Sequence, residues 1–126
     1  MSGEFASTRL KGAYGEEAAA AYLAAQGWVV RDRNYRTRRA EIDIVATRDD
    51  VLAFVEVKAW RALSRDELGR AVNRRKQARI AGAARSYLAQ RPDLSDRHVR
   101  FDVVFIDARN GGIELIPGAW SGEGID

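Results

Sequence analysis

The chain has 126 residues, enough for one domain with a real hydrophobic core and too few for two. It holds no cysteine and one histidine, His98, which excludes disulfides, thiol nucleophiles, cysteine zinc sites and a histidine-rich metal centre. Its net charge is +3, and since residues 110–126 carry Glu114, Glu123 and Asp126 with no base, +6 resides on the first 109.

Carboxylates, lysine and arginine are what remains for chemistry. Of the 21 basic residues 18 are arginine, the side chain suited to bidentate phosphate contacts, although a solvated arginine-rich surface accounts for the composition equally well. No apolar run approaches the roughly 18 residues of a membrane span, and the first residues lack the build of a secretory signal, so a cytoplasmic location is expected. Residues 1–10 are expected to form a disordered or expression-derived leader, residues 11–117 an α/β domain, and residues 118–126 a frayed tail.

In chain order, the alanine-rich run ending at Gln26 predicts a helix from about Lys11, stopped by Gly27 at its C′ position. Ala19, Tyr22 and Leu23 form its apolar stripe, and Glu16, three residues before Ala19, lies on the same side. A strand over Trp28 to Tyr35 leads into the arginine-rich segment of Arg36, Arg38 and Arg39.

The stretch from Ala40 to Arg61 reads as a β-hairpin with charge in unusual places. Alternation puts Ile42, Ile44 and Ala46 on one face, with Glu41, Asp43 and Val45 on the other. In the second strand Val55 and Val57 oppose Phe54, Glu56 and Lys58. A turn at Asp49-Asp50 pairs residues whose numbers sum to about 99, setting Asp43 opposite Glu56 and Glu41 opposite Lys58. A two-residue shift would pair Glu41 with Glu56. Either register crowds two carboxylates, which is unfavourable unless a cation neutralises them or one keeps its proton.

Ser64 to Glu67 reads as a capping box before a helix reaching about Gln90, interrupted or recapped near Gly69 to Asn73 and ended by Pro92. Lys76 extends the apolar stripe of Ile80, Ala83 and Tyr87, so it faces inward or snorkels. Strands follow over Arg100 to Ala108 and Ile113 to Ile116, the latter at a sheet edge, with Asp102 expected to pair with an arginine and Trp120 to dock. The order is αβββαββ, an α/β sandwich with a central mixed sheet of about five strands flanked by helices.

Asp43, Glu56 and the Val57 carbonyl offer hard oxygens of the kind Mg²⁺ or Mn²⁺ prefers. Lys58 projects to the same face, where it can orient or deprotonate a water or stabilise charge on a phosphorane. Asp43 followed by Glu56-Val57-Lys58 resembles the signature of the PD-(D/E)XK nuclease superfamily. Gly12, Glu16, Tyr22-Leu23, Gly27, Asn34, Glu41-Ile42-Asp43, Phe54 to Lys58, Lys76-Gln77 and Arg100 to Val104 together resemble the small bacterial YraN family, over about Gly12 to Ile106.

The resemblance implies a restriction-endonuclease-like fold similar to archaeal Holliday-junction resolvases. It also implies Asp43 and Glu56 as metal ligands, Lys58 as catalytic lysine and Glu16 as an auxiliary helix acid. Glu41 and Gln77 match family positions in supporting and substrate-binding roles, and Lys76, Arg36, Arg38 and Arg39 are expected to contact substrate. The chain departs from the pattern at Ala40, where a glycine is common, at Ile42 in place of the superfamily's proline, and at Trp60 in place of a basic residue. Three functions fit: a metal-dependent endonuclease acting on DNA, branched or irregular DNA included, as a monomer or homodimer; a non-catalytic nucleic-acid-binding module; or a protein-interaction domain with a basic face.

Overall fold

The computed structural model describes residues 15–60, 73–107 and 109–121. The expected leader, the proposed capping box at Ser64 and the last residues of the tail lie outside them. The elements are α1 (residues 15–25), β1 (Val29–Arg36), β2 (Glu41–Arg48), β3 (Val51–Trp60), α2 (Arg74–Gln90), a 3-10 turn (Pro92–Leu94), β4 (His98–Asp107) and β5 (Ile113–Trp120).

The sheet order is β1-β2-β3-β4-β5, with β3 and β4 parallel and every other pair antiparallel. A parallel pair needs a crossover, and α2 lies within the β3–β4 connection. The two parallel strands are paired over ten residues, from Val51 with His98 to Trp60 with Asp107. Both read as near-continuous apolar runs because both their faces are covered. On one face Phe54, Phe101, Val103 and Phe105 pack with Ile80, Ala83, Ala84 and Tyr87 of α2. On the other, Val55, Val104 and Ile106 pack with Ala19 and Leu23 of α1 and with Trp28. Among the described residues a mixed five-stranded sheet thus lies between two helices in the expected αβββαββ order.

Helix ends follow local chemistry. Gly27 has φ +92°, the left-handed conformation that ends a helix with little strain for glycine. Asn73 caps α2, its side chain accepting from the Lys76 N–H at 2.9 Å. α2 therefore starts at Arg74, at the end of the interruption expected near Asn73.

Strand β5 runs to Trp120, four residues past the end its pattern predicts, because Trp120 stacks on Phe101 with ring centroids 4.0 Å apart. The β4–β5 register slips between Phe101 and Val103. Asp102 sits in this bulge at 1% exposure, held by two 2.9 Å bonds from Arg100 and by the Gly118 N–H at 2.9 Å. It is a structural carboxylate. Removing one partner of a buried, hydrogen-bonded ion pair leaves the other charge uncompensated. Asp102→Ala is expected to cost about 3 kcal/mol in urea denaturation, and a loss below about 0.5 kcal/mol would show that water replaces the carboxylate.

Candidate metal centre

The β2–β3 ladder has the expected sum-of-99 register, from Arg48 with Val51 to Ile44 with Val55, and its backbone pairing ends there. Beyond it β2 stays paired with β1 through Tyr35–Ile42 and Arg36–Glu41. The Asp43 carboxylate spans the opening, accepting the Val57 N–H at 2.8 Å. This divergence changes the expected facing: Ile42 packs with the α2-side cluster while Ile44 and Ala46 pack on the α1 side. The alternation breaks at Asp43, which is missing from the β3 ladder and, like the left-handed Asn34, from the β1 ladder. In β3, which remains paired with β4, the expected alternation is kept.

Gly15, at the start of α1 as described, lies over Ile106 and Val57, which brings Glu16 to the mouth of the opening. Carboxylate oxygens of Glu16, Glu41 and Asp43 lie within 4.8 Å of one another, each residue partly buried. Asn34, in the left-handed region at φ 54°, ties the cluster together. With the amide turned so that its nitrogen rather than its oxygen faces the acids, the orientation hydrogen bonding requires, it donates to Glu16 Oε2 at 3.0 Å and Glu41 Oε1 at 2.9 Å. Three hard carboxylates in this arrangement could hold a divalent cation.

Glu56, 7% exposed, stands close enough to Asp43 for its charge to act on that carboxyl, outside the three converging acids. Its Oε1 receives Lys76 Nζ at 2.6 Å and faces Lys58 Nζ at 3.4 Å. The expected Glu41–Lys58 pair is replaced: Glu41 bonds Arg36 Nε at 3.0 Å, its cross-strand neighbour in the β1–β2 ladder. Arg36 is thereby tied to the acid cluster, while Lys76, on the inward stripe of α2, is tied to Glu56. Arg38 and Arg39 are exposed in the turn after β1, and Gln77 is partly buried beside Lys76.

The electrostatics reflect this crowding. Burial, then the Glu56 charge, pushes the Asp43 carboxyl up to about 7, against the lowering effect of the Val57 N–H, with Glu16 and Glu41 adding to the rise. Burial, then the neighbouring Lys76 amine, lowers Lys58 below the ordinary lysine range. Partial burial opposes the charge on Lys76, but hydrogen bonds with Glu56 and Lys58 outweigh it and raise its pKa.

Residues 15–106 match the model of the family described as "Uncharacterised protein family UPF0102". The chain belongs to the UPF0102 family. It is 43% identical over 117 residues to a UPF0102 protein of Myxococcus xanthus, covering 91% of this chain and 92% of that protein. It is 49% identical over 111 residues to one from Desulforapulum autotrophicum, covering 86% and 91%. A Treponema pallidum relative is 42% identical over 98 residues, covering 78% of each. The YraN-like resemblance read from the motifs is therefore family membership.

Sequence reasoning placed Glu41 in a supporting role and did not assign Asn34 one. The fold of this chain makes Glu41 a member of the acidic triad and Asn34 its bridge. An asparagine in a β-forming run is the available signal, since asparagine tolerates the left-handed backbone better than other non-glycine residues.

Because the folded-state pKa of Asp43 is raised above its ordinary 3.8, the folded protein binds this proton more tightly than the unfolded chain. That contribution is complete below about pH 4 and is lost as pH rises through about 7. Asp43→Asn keeps an oxygen for the Val57 N–H and removes the charge. In metal-free buffer at pH 8 it is expected to raise Tm by about 4 °C and to flatten the pH 4–7 decline. An unchanged decline by differential scanning calorimetry would assign it to another group.

Proposed function

We propose that this protein is a metal-dependent endonuclease that hydrolyses phosphodiester bonds in DNA. The observation carrying this reading is the approach of the Glu16, Glu41 and Asp43 carboxylates to within 4.8 Å of one another at the strand divergence, beside the Glu56–Lys58 pair. Such a donor set suits Mg²⁺ or Mn²⁺, with Asp43 as central ligand and Glu56 able to add its other carboxylate oxygen. A bound cation would polarise a phosphoryl oxygen and ease deprotonation of the attacking water.

The chain's own residues supply the rest. Glu56 orients Lys58 toward the opening, and Lys58, with its pKa lowered, exchanges a proton at Nζ more readily than an ordinary lysine. A water oxygen forms the new bond to phosphorus and its proton passes to the neutral Lys58 Nζ, while the opposite P–O bond breaks and the leaving oxygen takes a proton from solvent, releasing one strand as an alcohol and the other as a phosphate. Lys76 balances the Glu56 charge while Lys58 does this. The Val57 N–H keeps Asp43 aimed at the site.

The test is cleavage of single-stranded, duplex, flapped and four-way-junction DNA, with structured RNA alongside, in Mg²⁺, Mn²⁺ or chelator. Cutting that requires metal and falls at least about 100-fold in both Lys58→Ala and Glu56→Ala, with each variant still folded, is the expected result. Metal-independent cutting, or wild-type turnover by either variant, would sink the mechanism.

A further inference from the structure

The described arginines differ in their partners. Arg33, Arg36, Arg91, Arg100 and Arg109 are engaged by carboxylates. Arg31, Arg48 and Arg97 donate to Thr47, Gln26 and Asp49. Among the described residues, Arg38, Arg39, Arg74, Arg75, Arg79 and Arg85 form neither an ion pair nor a hydrogen bond through the guanidinium, and all but Arg74 line two adjoining grooves between α2 and the turn after β1.

The inner groove, about 250 Å³, is bounded by Glu41 of the acid cluster together with Arg39, Arg75, Lys76 and Arg79. The outer groove, about 420 Å³, shares Arg39 and Arg79 with it and continues past Arg38 to Arg85 and Ser86. Arg75, Arg79, Gly82 and Ser86 follow one another at spacings of four, three and four, so they share one face of α2, opposite the buried Ile80, Ala84 and Tyr87. From Arg75 to Ser86 the helix rises about 16 Å. Gly82 forms part of the lining, and a Cβ built there meets only the Arg85 side chain at 3.8 Å. Across the groove the turn is rigidly closed: the Ala40 N–H donates to Thr37 Oγ1 at 3.2 Å, and the Thr37 N–H donates to the Ala40 carbonyl at 2.9 Å.

We propose that this groove is the track for the DNA backbone on one side of the scissile phosphate, with Arg38, Arg39, Arg75, Arg79 and Arg85 as its phosphate contacts. The assignment rests on the nuclease reading for its direction, since the inner groove opens at Glu41. Unpaired guanidinium groups on both walls of a continuous channel complement a run of phosphates, and at about 3.4 Å of axial rise per nucleotide the 16 Å helix face spans roughly five nucleotides. The paired arginines elsewhere have their charge compensated within the protein and add little to such a track.

Binding is measured by fluorescence anisotropy with a labelled 20-base-pair DNA duplex in chelator, so that binding is read without cutting, over a salt series. Five phosphate contacts predict a log–log salt slope of about −4.5, and Arg79→Ala/Arg85→Ala should reduce its magnitude by about 1.8. Gly82→Glu places a carboxylate in the channel without meeting the core. It should weaken binding at least tenfold with Tm preserved, while Gly82→Ala keeps wild-type affinity.

An unchanged slope in the double variant overturns the groove, even if Lys58-dependent cleavage persists and keeps the nuclease reading. Groove-dependent binding without metal-dependent cleavage does the reverse. No duplex binding at low salt, or groove-dependent binding of a matched RNA alone, also overturns the assignment to DNA.

Discussion

The hydrogen bond from the Val57 N–H to the Asp43 carboxylate is the contact on which the site depends. A β-ladder normally satisfies each backbone donor with a backbone carbonyl. Where β2 leaves β3 after the Ile44–Val55 pair, a side-chain carboxylate takes over that duty. The opening is thereby stable without a ladder, and an acid is fixed at its centre. Around that position stand Glu41 from the same strand, Glu16 from α1, and Glu56 and Lys58 from β3.

This arrangement concentrates like charge in a partly buried space. Asn34 mitigates the repulsion by donating to Glu16 and Glu41, and Arg36 by pairing with Glu41. Lys58 and Lys76 neutralise Glu56 from the α2 side. Asp43 accepts only the Val57 N–H among these contacts, and burial first, then the charge of Glu56, raises its proton affinity, with Glu16 and Glu41 adding to the rise. The two sides of the opening thus differ in sign. The α1 side gathers carboxylates suited to a hard cation, and the α2 side supplies amines suited to a proton or a phosphate oxygen.

The helices make this asymmetry possible because each contributes one functional edge while its opposite face is committed to the core. α2 buries Ile80, Ala84 and Tyr87 against the sheet and turns Arg75, Arg79 and Ser86 toward the channel. Arginine content alone does not distinguish a binding surface from a solvated one. The distribution of partners does, since arginines fixed by acids serve the fold and those lining a continuous groove next to the site are available to a ligand.

The sequence by itself determined the αβββαββ order, the Gly27 stop, the hairpin register and the alternation of Phe54 to Lys58, because each depends on local periodicity, turn chemistry or cross-strand pairing. It also carried the Asp43 and Glu56-Val57-Lys58 motif and the place of Lys76 on the stripe of Ile80, Ala83 and Tyr87. Tertiary structure alone decided that Ile42 leaves the face of Ile44, that Glu41 pairs with Arg36 rather than Lys58, and that Glu16, Glu41 and Asp43 converge. The β1–β2 register skips Asp43 and Asn34, the latter in the left-handed conformation, and alternation in β2 breaks at Asp43, where the β3 ladder has ended. Past that residue, the contacts of β2 are set by where α1 and α2 pack on the sheet, a long-range outcome with no period in the chain.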